Sequence, residues 1–338
     1  MPKYNNKTIL NTIAELLHPK AMIVNRTNFF PAKQLFWDRL VQVASGHLVL
    51  PAIYGAIKRR GLEPFVPVDL LSYLLQIYNL NQKRNLGLLK QISFLSKIFK
   101  EQNINHVFLK GAAMLISKPY DTVNERMVGD IDILIEAKDL QMAYHILLDV
   151  GFEPIPRKAK LTKGILKNIF FNIFSKAFIK KSRHLDRIVH PSYLAAVELH
   201  GHLLGYKNEL INADVVLKNK VQNHGGDWFP SKYYLWQHAI LNWQYNNHAM
   251  FLNNMSFRTA MDVFYLEPKD LRDVLKTSNI ASKHFYSLLS TYFDEYPTYF
   301  TNGKRLYEWQ LKSRIFRKFY NYYKKIISLV ISKIPTLV

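Results

Sequence analysis

The chain has 338 residues, 49% apolar and 21% charged, a balance typical of a folded protein rather than a disordered one. It contains no cysteine, which excludes disulfides, thiolate zinc sites and cysteine nucleophiles. Lysine and arginine number 46 against 25 acidic residues, and the net charge of +21 favours anionic partners: nucleotides, RNA or an anionic membrane surface.

The first hundred residues predict helices, because apolar side chains recur every three or four positions. The amphipathic stretches are 6–19, 36–61, 70–80 and 88–102. Polar residues and Glu15 stand where a signal peptide would be apolar, and the apolar run near the C-terminus is too short to span a bilayer. We therefore expect a cytoplasmic protein, with peripheral attachment at the inner face of the membrane left open.

The pattern changes near residue 104, where short alternating runs begin to separate the helical ones. The successive segments are a β-rich run at 104–111, a short helix at 112–120, a strand at 129–137, an amphipathic helix at 138–152 and a second alternating run at 195–205. This order predicts an α/β unit over about residues 104–205.

Asp130 and Asp132 are the first candidate site residues. Two residues apart in a strand, they point to the same face, where their carboxylates repel unless a cation lies between them. A hard divalent ion suits carboxylate oxygens, and the intervening isoleucines would anchor the other face in the core. An Asp-x-Asp by itself is also common at strand ends and turns.

The turn at Lys110-Gly111 is the second candidate. A strand runs into Gly111, and a helix predicted to begin at Ala112 would offer unpaired amides to a phosphate, with Lys110 adding charge. The alternative is an ordinary strand-to-helix turn.

Glu198 is the third candidate, on a strand where His200 and His202 share its face. It would supply a third carboxylate to the site. Two alternatives stay open. The strand face is simply exposed, or these histidines join Asp130, Asp132 and Glu198 in a mixed site for a hydrolytic transition metal.

The order of phosphate turn, paired aspartates and third carboxylate resembles the nucleotidyltransferase superfamily. More closely, residues 107–154 and 197–203 look like bacterial nucleotidyltransferases often found near polysaccharide-synthesis genes, and the similarity extends over most of 35–270. The resemblance implies an α+β fold, in which a nucleotidyltransferase-like palm with a small mixed β-sheet is flanked by N-terminal and C-terminal helical regions. It also implies transfer of a nucleoside monophosphate from an NTP, such as ATP, to an unidentified hydroxyl acceptor, with polysaccharide biosynthesis as one setting.

The resemblance assigns roles to the candidate residues. Asp130, Asp132 and Glu198 would be catalytic and would hold Mg²⁺ or Mn²⁺. The residues that would bind the nucleotide are Lys110, Gly111, Ala112 and Arg126. Arg126 has an alternative role as a partner of Asp130, and the Gly-Ala turn departs from the usual Gly-Gly or Gly-Ser. The alternative functions are a non-catalytic nucleotide-binding protein and a tRNA- or protein-modifying nucleotidyltransferase.

Four regions follow: a helical region 1–100, the palm 101–205 with a basic insertion 157–187, a helical region 206–303 and a basic amphipathic tail 304–338. Nine lysines and arginines and no acidic residue lie between Arg157 and Arg183. The tail is predicted to pack on the body, to lie on an anionic membrane surface or to contact RNA. In the second helical region, His238 and Asp262 are expected in the core or in a groove, and Arg258 is expected near the nucleotide by analogy.

Overall fold

The computed structural model describes residues 6–20, 29–30, 34–155, 185–205 and 208–312. Most of the basic insertion and the tail from 313 onwards lie outside the described residues. No helix within the described ranges is long and apolar enough to cross a membrane.

The N-terminal region is helical, as predicted. Its helices are α1 (Asn6–Leu17), α2 (Gln34–Gly46), α3 (Leu50–Arg59) and α4 (Val68–Glu101). The predicted amphipathic stretches 70–80 and 88–102 are joined through the polar residues between them into one helix, α4, which runs for 34 residues, about 51 Å at the helical rise. The polar stretch stays helical because Asn81 and Asn85 donate to backbone carbonyls of the loop that precedes the acidic strand.

The palm confirms the predicted α+β class with a small mixed sheet. Its strands are β1 (His106–Leu109), β2 (Ile131–Ile135), β3 (Glu153–Pro154), β4 (Ile188–Val189) and β5 (Val197–His200), in the spatial order β1-β2-β5-β4-β3. Only β2 and β5 pair in parallel; the other pairs are antiparallel. Two helices cover this unit: α5 (Lys110–Ser117) and α6 (Leu140–Asp149), and the second ends before Gly151 with its positive φ of 95°.

The C-terminal region is mainly helical. Its helices are α7 (Ala213–Lys218), α8 (Lys232–Leu241), α9 (Ala249–Leu252), α10 (Phe257–Leu266), α11 (Leu271–Thr277), α12 (Ile280–Leu289) and α13 (Thr301–Lys312). A π-helical turn, Asn242–Asn246, continues α8. The expectation of helices alone was wrong between 220 and 230, where β6 (Lys220–Gln222) and β7 (Trp228–Pro230) form a hairpin. Gly225 and Gly226 form its turn. This glycine pair is a sequence signal for a hairpin that the prediction of helices did not take into account.

Three apolar clusters hold the fold together. The largest joins the N-terminal helices to the C-terminal ones, so that Ile9 and Ile13 share a core with Phe285 and Tyr307. The second lies between the sheet and helices α4, α5 and α6, and the third covers the opposite face of the sheet with residues from 203–245 and with Ala281. The long helix α4 contributes to the first cluster near its start and to the second near its end. The sheet is therefore buried on both faces.

The first turns of the predicted tail pack against the body as α13. Tyr307 is buried, and its hydroxyl lies 2.6 Å from that of Tyr292. Trp309, another aromatic residue of this helix, is 57% exposed. Within 304–310 the inward face is therefore set by Tyr307 and Gln310.

Glu267 provides a test of this packing through pH. It accepts a hydrogen bond from Tyr286 at 3.1 Å, and burial raises its pKa to about 7. The folded state binds the proton of the Glu267 carboxyl more tightly than the unfolded chain does. The contribution of the protonated carboxyl to stability is therefore fully present below about pH 4.5 and is lost as pH rises through about 7. We expect Glu267→Gln to raise the free energy of unfolding by up to about 3 kcal/mol at pH 8 and far less at pH 5.

Urea denaturation at the two pH values measures the difference. Glu101→Gln, at an exposed position, is the matched control and should change stability little at either pH. An effect of Glu267→Gln that is equal at pH 5 and pH 8 would contradict the prediction.

Candidate functional site

A cavity of about 550 Å³ opens between the palm and the C-terminal helices. The palm contributes Lys110, Gly111, Met114, Arg126, Val128, Gly129, Asp130, Asp132, Arg187 and Glu198. The helical wall contributes Leu235, His238, Ala239, Asn242, Trp243, Asn246, Asn247, Arg258, Thr259 and Asp262. The predicted residues Lys110, Gly111, Arg126, Asp130, Asp132 and Glu198 all line this one cavity.

Strand register brings the acidic residues together. In the parallel β2–β5 pair, Asp132 lies opposite Glu198, and His200 follows two residues later on the same face. One ligand atom from each of these three residues lies within 4.8 Å of the others, and all three side chains are buried. This donor set of two carboxylates and an imidazole fits a divalent metal ion. Asp130 lies outside it, just before β2.

Basic side chains lie against every carboxylate of the site. Lys110 Nζ is 2.5 Å from Asp132 Oδ1, and His200 Nε2 is 2.7 Å from the same oxygen. Arg187 bridges the other two, reaching Asp130 Oδ2 at 3.1 Å and also contacting Glu198. The cation that the paired aspartates were expected to need is therefore supplied here by side chains of the protein itself.

These contacts move the two aspartate pKa values apart. Burial raises the pKa of Asp132, but Lys110 and His200 outweigh it and hold that carboxyl well below its usual range. Burial also raises the pKa of Asp130, with the charges of Glu198 and Asp132 adding to the rise and Arg187 opposing it. Of the two, Asp130 is therefore the better proton acceptor near neutral pH.

The turn between β1 and α5 differs in detail from the prediction. The helix begins at Lys110, two residues earlier than expected, and Lys110 has a left-handed φ of 49° that costs a non-glycine residue about 1–2 kcal/mol. A Cβ on Gly111 would lie 2.9 Å from Val128, so packing against the loop demands this glycine. Ala112 is fully buried in the core; only its backbone amide, in the first helical turn, remains suited to a phosphate.

Helix α4 fixes the loop that leads into Asp130. Arg84 donates to the carbonyl of Val128 and to that of Gly129, each at 3.0 Å. Asn81 and Asn85 donate to carbonyls between Val123 and Arg126. Because its backbone is held at several points, the loop presents its side chains to the cavity in a defined geometry.

Arg126 reaches across the cavity to Asp262, not to Asp130. Its guanidinium forms two bonds to that carboxylate, at 2.7 and 2.8 Å, and the hydroxyl of Tyr120 bonds to the same group. Both charged side chains are more than nine-tenths buried. The predicted alternative that Arg126 partners Asp130 is therefore not what the structure contains. With its charge already paired, Arg126 joins the palm to α10.

Arg258 lies one helical turn before Asp262 on the same face of α10, which positions it at the cavity. It forms no ion pair or hydrogen bond with any residue that the structure describes. Burial lowers the pKa of its guanidinium to about 10, and nearby Arg126 adds to the effect. A desolvated cation without a direct partner favours binding of an anion in front of it.

Comparison with known proteins identifies the chain at this point. A family model described as "uncharacterised nucleotidyltransferase" matches residues 33–231, more than half of the chain. The chain belongs to this nucleotidyltransferase family. It is therefore a transferase of phosphorus-containing groups, and a nucleotide is its substrate. No curated protein matches the chain.

The family match covers one wall of the nucleotidyltransferase cavity and not the other. Every residue of the palm wall falls within 33–231, whereas the helical wall, from Leu235 to Asp262, lies beyond it. Family membership thus supports the acidic palm. Any role of Arg258 and of the other helical-wall residues is inferred from the geometry alone.

The sequence predicted some residues of this nucleotidyltransferase site and missed others. Alternation in β5 correctly placed His200 beside Glu198, but His202 lies beyond the strand and is exposed. Arg187 was counted only as part of the basic insertion, and no local pattern indicates that it bridges two carboxylates. Asp262 was expected in the core or in a groove, and it lies in both. Arg258 lines the cavity, and its contact with the nucleotide stays a prediction.

The position of Arg187 generates a prediction about metal binding. Because its guanidinium neutralises Asp130 and Glu198, we expect Arg187→Gln to tighten Mn²⁺ binding by about 10-fold, a change of about 1.4 kcal/mol. The metal-free variant should also be less thermally stable, because two carboxylates lose their partner. Electron paramagnetic resonance of Mn²⁺ alone gives the affinity.

Arg272→Gln, on α11 and away from the cavity, is the matched control and should leave both properties unchanged. Mn²⁺ affinity that falls in Arg187→Gln would show that the guanidinium does not compete with the ion.

Proposed function

We propose that this protein is a metal-dependent nucleotidyltransferase that moves a nucleoside monophosphate from an NTP to a hydroxyl acceptor. The observation that carries the proposal is the meeting, in one cavity, of the family's acidic strands with cationic groups suited to a polyphosphate. Asp132, Glu198 and His200 lie on the palm side, and the desolvated guanidinium of Arg258 lies on the helical side. That is the arrangement a metal-bound triphosphate requires.

The triphosphate is bound, in this proposal, between Arg258 and the first turn of α5. The amides of Lys110, Gly111 and Ala112 have no carbonyl partner within the helix and so can donate to phosphate oxygens. Arg258 supplies a fork of donors from the opposite wall. Arg126 acts indirectly, because its bonds to Asp262 fix the helix that carries Arg258.

Asp132, Glu198 and His200 would hold the divalent ion, which we take to be Mg²⁺ or Mn²⁺. When bound, that ion would withdraw charge from the phosphate oxygens at the reacting centre. The imidazole also makes the donor set suitable for Zn²⁺, as in a hydrolytic site. Membership of a nucleotidyltransferase family favours the transfer reaction.

The chemical step uses groups already at the cavity. The acceptor hydroxyl oxygen attacks the α-phosphorus, the bond to the β-phosphate oxygen breaks, and pyrophosphate leaves in the cradle formed by Arg258 and the α5 amides. Asp130 takes the proton of the hydroxyl, for which its raised pKa suits it. Arg187, now bonded to Asp130, must first release that carboxylate.

The acceptor is a hydroxyl whose source the proposal leaves to experiment. The charge of +21 favours an anionic acceptor, such as a sugar phosphate, a charged glycan intermediate or RNA. Incubation with each α-labelled NTP and Mg²⁺, with these acceptor classes added in turn, would be followed by mass spectrometry of the adduct. Absence of label transfer and of pyrophosphate release under every combination would contradict catalysis.

A second candidate is nucleotide binding without turnover. It is favoured by one observation: each carboxylate of the site already has a cationic partner, Lys110 or Arg187, as in a site that needs no metal. The two candidates separate on one measurement. A protein that binds NTP equally well with and without Mg²⁺, and releases no pyrophosphate, is the binding protein.

The first prediction from the proposal concerns Asp132. We expect Asp132→Asn to lower turnover by more than about 100-fold and to weaken Mn²⁺ binding, because loss of a ligand exceeds the 10- to 100-fold effect of losing its outer partners. Stability should also fall, since Lys110 and His200 lose their anion. Pyrophosphate release, Mn²⁺ resonance and thermal melting measure these effects.

Asp273→Asn is the same chemical change at an exposed position and should be neutral in all three assays. Normal turnover in Asp132→Asn would contradict the proposal that Asp132 is part of the catalytic site.

The second prediction concerns Arg258. We expect Arg258→Gln to weaken NTP binding by about 10- to 100-fold, the effect of losing a hydrogen bond to a charged group. The free protein should at the same time become more stable, because a buried charge without a direct partner is removed. Calorimetric titration and thermal melting measure the two effects.

Arg305→Gln, at an exposed position on α13, is the control and should leave both unchanged. If Arg258→Gln binds NTP like the wild type, the triphosphate does not lie against α10.

A further inference from the structure

The helical wall of the cavity has an uncharged end. The π-helical turn that continues α8, Asn242–Asn246, brings Asn242, Trp243 and Asn246 to the cavity, and Asn247 follows directly. π-Helical turns are rare in proteins, and those that do occur are often found at functional sites. The wider turn changes the direction in which its side chains point. Here it places one aromatic ring and three amides opposite an otherwise charged wall.

The ring of Trp243 is fixed in orientation. Its Nε1–H donates to the backbone carbonyl of Asn254 at 3.0 Å, and the half-buried side chain packs against the main core. The one polar atom of the indole is therefore satisfied within the protein. What the ring offers to the cavity is apolar, polarisable surface, which is suited to stacking on another flat ring.

The neighbouring amides combine a donor with an acceptor. Asn246 is occupied: it donates to Leu203 and to Asn242 Oδ1 and accepts from the amide of Gly205. The bond from Asn246 holds the side-chain oxygen of Asn242, whose side-chain amide donates to none of the described residues. Asn247 donates to the backbone of Asn242 at 3.1 Å, and its side-chain oxygen accepts from none of them. A nucleobase edge presents the complementary groups side by side.

We propose that Trp243, Asn242 and Asn247 form the nucleobase subsite of this protein, with the base stacked on Trp243 and its edge bonded to the two amides. The inference rests on the proposed function. It is carried by the division of charge within the cavity, since a nucleoside triphosphate is likewise a polyanion at one end and a neutral aromatic at the other. The helical wall of the cavity offers both kinds of surface: the cation Arg258 and the uncharged Asn242, Trp243 and Asn247.

The test separates the base from the phosphates. Calorimetric titration in Mg²⁺ compares ATP, GTP, CTP and UTP with inorganic tripolyphosphate, which lacks a base. We expect Trp243→Leu to weaken the best-bound NTP by about 5- to 150-fold and tripolyphosphate by less than about 2-fold. Trp243→Phe should retain most of the affinity, because it keeps an aromatic face. Trp309→Leu, at an exposed tryptophan on α13, is the control.

Each other outcome has a defined meaning. Equal losses for NTP and tripolyphosphate, or no loss for any NTP, would overturn the nucleobase subsite. Wild-type protein that binds tripolyphosphate as well as every NTP would overturn it too, while leaving the phosphate site standing. Wild-type protein that binds neither would overturn the proposed function itself.

A second variant guards against misfolding of Trp243→Leu. Asn247 is exposed, so Asn247→Ala should fold normally. We expect it to change the ranking of the four NTPs and to leave tripolyphosphate affinity unchanged. An unaltered ranking would contradict a role for this amide in reading the base.

Discussion

The buried pair of Arg126 and Asp262 is the interaction on which the geometry of the cavity depends. It joins the loop before the acidic strand to α10 by two charge-assisted bonds, and the desolvation of both groups makes loss of either one strongly destabilising, by about 3–5 kcal/mol. The position of Arg258 follows from it, because that residue lies on the same helix one turn away.

Electrostatics within the palm are balanced before any ligand arrives. Lys110 comes from the start of α5, Arg187 from the segment before β4 and His200 from β5, so side chains from three separate elements contact the carboxylates. The strained backbone of Lys110 is tolerated where its ammonium meets Asp132. A metal cation that enters the site must therefore displace the protein cations that are paired with the carboxylates. Until then, this pairing limits the repulsion between the carboxylates.

Local periodicity was sufficient for the acidic strands of the palm and insufficient for the opposite wall. Alternation along β2 and β5 correctly faced Asp132, Glu198 and His200 to one side, because strand geometry alone decides that. The pairing of Arg126 with Asp262 joins residues 136 positions apart, and no local pattern specifies such a partner. The same limit applies to α4, because nothing local to Asn81 and Asn85 indicates that they bind the loop before β2.

The shared core of the first and last helices has a consequence for synthesis of the chain. Ile9 and Ile13 of α1 pack in one cluster with Phe285 and Tyr307, nearly 300 residues later. Although α1 also packs on α2 and α3, its contacts with the C-terminal helices form only after those helices emerge from the ribosome, roughly 15–60 s later at about 5–20 residues per second. During that interval the nascent chain exposes a surface that chaperones recognise. Its yield in a cell should therefore depend on how fast it is translated and on how long it is protected.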